Sequence, residues 1–519
     1  MSMLRPRWGF IGLCALAAAA CSSHEATDGG SDVAADAIVA DGSSDARADA
    51  AIDGSTDAPV VDAMGDATVD SAQDVTTDVA VDAGTDVSVD AFHCTAGAFQ
   101  SCATDMAVVC NATGDGTVMQ SCGGFGCNAT AGRCNTCNPS TTECSGDNLV
   151  VCNATGTPAT TTSCLLGCNP TATPAPACAR LTPSILAANE CDSAGTSDLT
   201  VAAGATHAVN TDGTCDAVVS QSGGPSICVL KFANVSIAAT GTVSVSGSRA
   251  LAIVATGTMT INGLIDASAS GTTDGAGAPD AAGVGGSTST GGSGSGGGGH
   301  GTAGAIGASI TSGTGGGTGG AVYGGATGVP LVGGAHGGTT GGGGGGALQL
   351  VSCGAFTIGA TGIVDVGGGG GGGGAGSNSL FGPSGGGGGG SGGTILIEAP
   401  TASVAGAITS NGGGGGGAGV RGASPIAAGP TGASGTDGSR TMVPAPGGGG
   451  MVESGGGGAG GVEGTAPANG AAATASTGAG GGGGGAVGRV RINVRTGTTP
   501  MFTAAVTSPT PSIGVASTH

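Results

Sequence analysis

The chain has 519 residues, of which 118 are glycine, 2% are aromatic and 9% are charged, against about 25% charged residues in ordinary globular domains. Large apolar side chains are therefore too sparse to fill a conventional core of this length, and aromatic platforms for stacking sugars or bases are nearly excluded. The formal net charge of -22 also argues against nucleic acid as a partner, because nucleic-acid binding depends on basic side chains that neutralise phosphates.

The first twenty residues predict export from the cytoplasm. Arg5 and Arg7 form a short basic start, and an apolar run of thirteen residues follows at 8–20. That run is shorter than the roughly 20 residues that a membrane-spanning helix needs. A start of this kind is a targeting segment rather than part of the fold, so we assign 1–20 to a signal peptide.

Cys21 ends the run Leu16-Ala17-Ala18-Ala19-Ala20-Cys21, which resembles the lipobox of bacterial lipoproteins. Alanine stands at position 18, where that family usually has leucine. In lipoproteins this cysteine is lipidated and becomes the mature N-terminus, so the resemblance implies that Cys21 carries the lipid, palmitate included. Ser22 follows where lipoproteins of the inner membrane often have aspartate. The resemblance therefore implies an outer-membrane protein, lipid-anchored at the cell surface.

An acidic segment at 21–92 has the composition of a disordered stalk. Its aspartates recur with a four-residue period that slips by one only twice, at 28, 32, 36, 41, 45, 49, 53, 57, 62, 66, 70, 74, 78, 82, 86 and 90. On a helix this spacing would stack like charges, and the small residues between them offer little to bury. Calcium prefers such oxygen ligands, but the glycine-bounded loops of calcium motifs are missing from the segment, and we predict no metal site.

Twelve cysteines follow in two sets of six. The intervals between them are 7, 7, 11, 4 and 6 residues in the first set and 6, 7, 11, 3 and 9 in the second: Cys94, Cys102, Cys110, Cys122, Cys127 and Cys134, then Cys137, Cys144, Cys152, Cys164, Cys168 and Cys178. This indicates a duplicated module, at 93–135 and, with a linker, at 136–190. Cysteines this dense in a core-poor exported segment predict three disulfides per module, of open connectivity. Zinc held by Cys134 and Cys137 is the rival interpretation, but no second ligand pair stands at finger spacing.

From 191 to 519, short runs alternate apolar and polar residues and are broken by glycine, which is the pattern of strands joined by tight turns. Units at 235–245, 260–266, 357–366 and 403–409 recur, with further short, mainly apolar runs such as 251–254 and 395–398 between them. One such unit cannot bury its own apolar face, so the repetition predicts a parallel β-helix or solenoid-like domain. We predict one disulfide between Cys215 and Cys228, which leaves Cys191 to pair with Cys353.

Three glycine-rich excursions at 269–346, 367–393 and 411–486 interrupt this repeat at matching points. Two interpretations stay open. The excursions are flexible coil, or glycine is used because no side chain fits between close-packed extended chains of polyproline II type. In composition the excursions resemble the glycine-rich motifs of some phage tail adhesins, which stack extended helices into a sandwich.

The whole layout is all-β: a glycine-rich repeat domain preceded by two small disulfide-rich modules and a disordered acidic stalk. It resembles surface lipoproteins of Gram-negative bacteria, which implies location and architecture but no activity. We expect a non-catalytic display or adhesion protein with no cofactor, bound to the membrane through its lipid and able to meet a surface or extracellular ligand. Alternatives are an envelope structural protein, or a β-helix polysaccharide lyase or hydrolase in which Asp266 and Asp365 form a stacked pair of carboxylates.

Overall fold

The computed structural model describes residues 92–278, 282–288, 291–310 and 315–519. Within these residues the secondary structure is almost entirely β-strand, with a 3₁₀ turn at Gly123–Phe125 and no α-helix. The predicted all-β class is confirmed for the described part of the chain. The predicted signal peptide, the lipidation site Cys21 and nearly all of the acidic stalk lie outside the described residues.

Two small units of similar design begin the described chain, each with a three-stranded antiparallel sheet and a short hairpin. The strands of the first are β1 (Phe99–Ala103), β2 (Met106–Cys110), β3 (Thr117–Ser121), β4 (Cys127–Asn128) and β5 (Arg133–Cys134). The strands of the second are β6 (Thr142–Ser145), β7 (Asn148–Cys152), β8 (Pro158–Ser163), β9 (Cys168–Asn169) and β10 (Ala177–Cys178). The buried apolar cluster of the second unit is only Cys137, Val150 and Cys152, so most of its stability must come from covalent links.

Three larger sheets follow, and their neighbouring strands are parallel except for one antiparallel pair at an end of the third sheet. The first sheet contains β12 (Leu199–Val201), β16 (Val235–Ile237), β19 (Met259–Ile261), β22 (Ala355–Ile358), β25 (Thr401–Val404) and β28 (Met501–Phe502). The second contains β13 (Thr206–Asn210), β17 (Thr242–Ser246), β20 (Leu264–Asp266), β23 (Ile363–Asp365), β26 (Ala407–Thr409) and β29 (Val506–Ser508). The third contains β14 (Ala217–Val219), β15 (Ile227–Phe232), β18 (Ala250–Ala255), β21 (Ala347–Ser352), β24 (Thr394–Glu398), β27 (Arg489–Val494) and β30 (Ser512–Val515).

The chain visits the three sheets in a fixed rotation, so that β15, β16 and β17 are followed by β18, β19 and β20 in the same order. Equivalent residues stack in register across successive rounds. One column of four buried side chains in the third sheet consists of Ile253, Leu350, Ile397 and Ile492. Each buried side chain of this kind contributes about 1.5–3 kcal/mol. The column packs with residues of the other two sheets in one apolar core.

The third sheet is buried on both faces, which explains why β18 is a continuous apolar run rather than an alternating one. Its second face packs against Leu181, Leu186 and Leu331. Leu181 belongs to β11 (Leu181–Thr182), which pairs antiparallel with the last strand, β31 (Ser517–Thr518). The segment between the second cysteine module and the sheets therefore covers this face.

The glycine-rich excursions leave the sheets after β20, β23 and β26 and return at β21, β24 and β27. They are extended chains whose backbones bond to one another, and one of them, 412–420, donates to three neighbouring chains in rotation. Its N–H to O=C pairs are Gly412 to Gly461, Gly415 to Gly458 and Ala418 to Gly455; Gly413 to Gly390, Gly416 to Gly387 and Gly419 to Ser384; Gly414 to Thr436, Gly417 to Ala433 and Val420 to Pro430. A three-residue period is that of a polyproline II helix. The second of the two interpretations, close-packed extended chains, therefore describes the excursions. We call the described residues of 269–346, 367–393 and 411–486 the glycine bundle.

Glycine is required in the bundle because neighbouring carbonyl oxygens occupy the space of a side chain. A methyl group on Gly416 would lie 2.0 Å from the oxygen of Gly372, and one on Gly413 would lie 2.0 Å from the oxygen of Gly369. Real carbon–oxygen contacts of this kind are above 3 Å. Glycine is therefore needed here because it lets neighbouring chains approach closely, and not because it makes the chain flexible.

Candidate functional site

The cysteines of both modules are joined in disulfides, as predicted, and the two sets have the same connectivity. The pairs are Cys94–Cys110, Cys102–Cys127 and Cys122–Cys134 in the first module, and Cys137–Cys152, Cys144–Cys168 and Cys164–Cys178 in the second. Cys134 and Cys137 belong to different disulfides, so neither thiolate is free for zinc. Shared connectivity fits a duplicated module.

Two further disulfides lie in the sheet region. Cys215 is joined to Cys228 and Cys191 to Cys353. The second pair connects the segment that covers the third sheet to the turn after β21, across a sequence separation of 162 residues. These bridges fasten structure and contribute no reactive thiol.

Asp266 and Asp365 are register partners in β20 and β23, so the stacked position considered from the sequence is observed. Arg440, which comes from the third excursion, pairs with both. Its Nε lies 2.9 Å from Oδ2 of Asp365 and its Nη2 lies 2.7 Å from Oδ2 of Asp266. Thr409 donates to the other oxygen of Asp365 at 2.8 Å. This cluster holds the glycine bundle against the second sheet.

The carboxyl group of Asp365 is almost completely buried, with 1% of the residue exposed. Burial raises the pKa of Asp365 from 3.8 to about 6, although the bonds from Arg440 and Thr409 oppose the change. The folded protein therefore holds this proton more tightly than the unfolded chain does. The contribution of Asp365 to the free energy of unfolding is largest below pH 3.8 and is lost as the pH rises towards 6, by about 3 kcal/mol in total.

We predict that Asp365→Asn removes this dependence. The unfolding free energy of the original protein minus that of the variant should fall by about 2 to 3 kcal/mol between pH 4 and pH 7, as measured by urea denaturation at each pH. Groups common to both proteins cancel in the difference. A difference that rises with pH would show that pairing with Arg440 outweighs burial.

Glu398 at the end of β24 is completely buried on the covered face of the third sheet. Its carboxylate accepts hydrogen bonds from the N–H and hydroxyl of Ser184, from Nε2 of Gln349 at 2.7 Å and from Nδ2 of Asn493 at 3.2 Å. A buried carboxylate needs such donors. Glu398 therefore fixes the covering segment to the sheet.

His300 is the buried histidine of the bundle. Its Nδ1 lies 2.9 Å from the oxygen of Gly392, and its ring packs 4.7 Å from that of Tyr323. Burial lowers the pKa of His300 to about 4, so the ring is neutral at physiological pH. Burial raises the pKa of Tyr323, because it disfavours the charged phenolate. The hydroxyl of Tyr323 donates to the oxygen of Gly333.

A hydroxyl, an imidazole and a carboxylate align where the C-terminus meets β11. Oγ1 of Thr182 lies 2.8 Å from Nδ1 of His519, and Nε2 of His519 lies 3.0 Å from Oδ1 of Asp192. Hydrolase triads join the same three kinds of group, but with the hydroxyl on Nε2 and the carboxylate on Nδ1, which is the reverse of the arrangement here. Thr182 and His519 are 337 residues apart, so no sequence pattern marks the alignment. The neighbouring cavity is lined by His519 and Asp192 but not by Thr182, and Thr182 pairs with Ser517 in the β11–β31 ladder. The alignment therefore fastens the C-terminal strand.

Two cavities lie between the bundle and the sheets. One of 440 Å³ contains Glu463 and Arg489, but Glu463 accepts the N–H of Thr510 and Arg489 donates to the oxygen of Tyr323. The lining of the other, of 680 Å³, includes the apolar or aromatic side chains of Pro225, Tyr323, Val329, Pro330 and Val332. Neither presents converging polar groups.

The bundle ends away from the sheets in three loops, 376–384, 420–429 and 451–454, which we call the distal loops. The first two contact each other directly, because the N–H of Ser379 donates to the oxygen of Ser424 and the N–H of Gly422 donates to that of Ser377. The third is fastened beside them by Oγ of Ser454, which donates to the oxygen of Gly419. Among the described residues, the four most exposed large apolar side chains all lie here: Leu380 at 71%, Phe381 at 67%, Ile426 at 94% and Val452 at 84%.

The sequence patterns did not predict a role for the distal loops or for Arg440. A signal for the loops was present, because Leu380 and Phe381 are the only large apolar residues of the excursion at 367–393. No comparable signal marks Arg440, since its partners are 75 and 174 residues away.

Among the described residues, no group of three or more His, Cys, Asp or Glu side chains could hold a metal ion. Within the same ranges, no helix has the length and apolar character needed to cross a bilayer. Comparison of the chain with protein-family models, curated proteins and solved structures gave no match.

Proposed function

We propose that this chain is a non-catalytic cell-surface lipoprotein, anchored in the outer membrane through Cys21, which displays the glycine bundle for adhesion. The observation that carries the proposal is that a bundle with its backbone bonded on three sides ends in loops with exposed apolar side chains. Contact residues held in place before binding lose little entropy when they meet a partner. A rigid, projecting, apolar end suits adhesion.

We infer that the three parallel sheets are the three sides of one β-helix, on which the bundle is mounted. The fixed rotation of the chain through the sheets and the in-register columns support this architecture. A β-helix gives a straight, stiff support because each round contacts only its neighbours. In this arrangement, the acidic segment would act as a spacer between the lipid and the folded part.

A non-catalytic role is supported by what the carboxylates contact. Asp266 and Asp365 pair with Arg440, and Glu398 receives bonds from three residues. Each is used to fasten one part of the fold to another. A purely structural envelope protein would have no use for exposed apolar loops, which favours display over that alternative.

The anchor is tested by replacing Cys21 in the full-length precursor. We expect Cys21→Ala to abolish incorporation of a fatty-acid analogue and to release the protein from the membrane fraction or stall its export. The matched control is Cys14→Ala, which changes a cysteine inside the signal segment and should leave labelling unchanged. Antibodies against the folded domain should bind intact cells that express the control but not cells that express Cys21→Ala.

Continued labelling of the Cys21→Ala protein would refute the assignment of the lipid. Full labelling without antibody binding to intact cells would refute surface display instead. The two halves of the proposal are therefore judged by separate measurements.

A further inference from the structure

The distal loops present their large side chains outward although the fold does not need them there. In the excursion at 367–393 glycine predominates, and its two large apolar residues, Leu380 and Phe381, both lie at the turn. Ile426 lies at the adjacent turn, two residues from the Ser424 contact. Single exposed apolar residues are ordinary on protein surfaces, but several on adjoining loops mark an interaction site.

A positive charge lies among these side chains. Arg421 is exposed, its N–H bonds to the oxygen of Thr477, and its guanidinium has no hydrogen-bond or ion-pair partner among the described residues. The one acidic residue of the distal loops, Glu453, already accepts a hydrogen bond from the hydroxyl of Thr477. The cation is therefore available to an anion outside the protein.

Among the described residues, the other acidic groups of the bundle are bonded near its sheet end, Asp274 to Gly344 and Glu463 to Thr510. Asp437 bonds to Gly370, and Asp365 lies where the excursion leaves the sheet. Val420 lies nine residue steps along the extended chain from Asn411, at the sheet end, which corresponds to about 28 Å at roughly 3.1 Å per residue. This distance exceeds the Debye length of about 8 Å at physiological salt. The negative charge at the sheet end is therefore screened at the distal loops, where the charged groups are the guanidinium of Arg421 and the carboxylate of Glu453.

We infer that the distal loops dock on an anionic lipid surface, with Leu380, Phe381 and Ile426 inserted among acyl chains and Arg421 paired with a phosphate headgroup. This inference rests on the proposed adhesive role and names its target as a second lipid surface. Separate protruding side chains beside a cation suit the interface of a bilayer, where apolar and charged groups meet within a few ångströms. An exposed patch made only of apolar residues would instead favour a protein groove.

The test uses the chain 22–519, which retains every described residue and carries no lipid, so that binding does not depend on Cys21. Co-sedimentation is measured with vesicles of phosphatidylcholine alone and with vesicles that also contain phosphatidylglycerol. We expect tighter binding to the anionic vesicles. Leu380→Ser with Phe381→Ser should weaken that binding by about 30-fold or more, and Arg421→Gln should weaken it by about fivefold and remove the preference for phosphatidylglycerol.

The matched control is Met442→Ser with Val443→Ser, which removes two comparably exposed apolar side chains near the sheet end, where Asn411 bonds to Thr441. It should bind like the original chain. Equal binding by the distal-loop variant, or no vesicle binding at all, would overturn the inference. Self-association that the distal-loop variant abolishes would also overturn it, because a second copy would then be the occupant. Failure here, together with labelling at Cys21 and antibody binding to intact cells, leaves the proposed surface display standing.

Discussion

Gly416→Ala is expected to destabilise the glycine bundle by about 3 to 5 kcal/mol. The new methyl group would lie 2.0 Å from the oxygen of Gly372, an atom of the backbone that cannot turn aside as a side chain can. The chains must separate by more than 1 Å to restore an ordinary contact, and the bonds from Gly416 to Gly387 and from Gly482 to Gly416 would weaken with them. Overpacking alone typically costs about 1–3 kcal/mol, and each lost hydrogen bond adds about 1 kcal/mol.

The control is Gly449→Ala, made on another extended chain of the same bundle. No atom lies within 4 Å of the methyl group that this change adds, so we expect an effect within about 0.5 kcal/mol. Hydrogen exchange followed by mass spectrometry should show protection lost across 411–420 and its three neighbouring chains in Gly416→Ala alone. Equal protection in the two variants would mean that the excursions are not packed as described.

The sequence indicated the strands well, because alternation and β-branched residues respond directly to a half-buried sheet. The runs at 251–254 and 395–398 lie inside β18 and β24, and the excursions begin and end within a few residues of the expected positions. Whether the glycine-rich excursions are structurally ordered could not be predicted in the same way. Flexible coil and close-packed extended chains both favour glycine, and a residue without a side chain carries no periodic pattern to tell them apart.

The candidate surface illustrates a second limit of sequence analysis. Leu380 and Phe381 stand out against glycine, but only the structure shows that Ile426 and Arg421, forty or more positions later, lie on an adjoining loop. Contacts between excursions depend on which turn of the bundle each chain reaches. The hydrogen-bond register between the chains decides which turn each chain reaches, and the amino-acid composition does not encode that register.

Removing one disulfide from the first cysteine module is expected to unfold that module while the parallel sheets stay intact. Cys102→Ala with Cys127→Ala deletes a bridge across a sequence separation of 25 residues, which should cost about 2 to 5 kcal/mol. The module has little else to hold it, because its longest strands have five residues and β3 is exposed along its whole length. The sheets are held instead by stacked buried side chains such as Ile253 and Leu350.

Trypsin cleavage after Arg133 measures the unfolding of the first module directly. Arg133 is the only lysine or arginine from 92 to 179, and it lies in β5 beside Cys134. Trypsin should cut after Arg133 rapidly in the variant and slowly in the original chain. The comparison variant is Cys215→Ala with Cys228→Ala, which removes a bridge from the sheet region and should leave Arg133 protected. Rapid cleavage in both variants, or loss of hydrogen-exchange protection in β18 and β21 when only the module bridge is removed, would show that the modules and the sheets unfold as one unit.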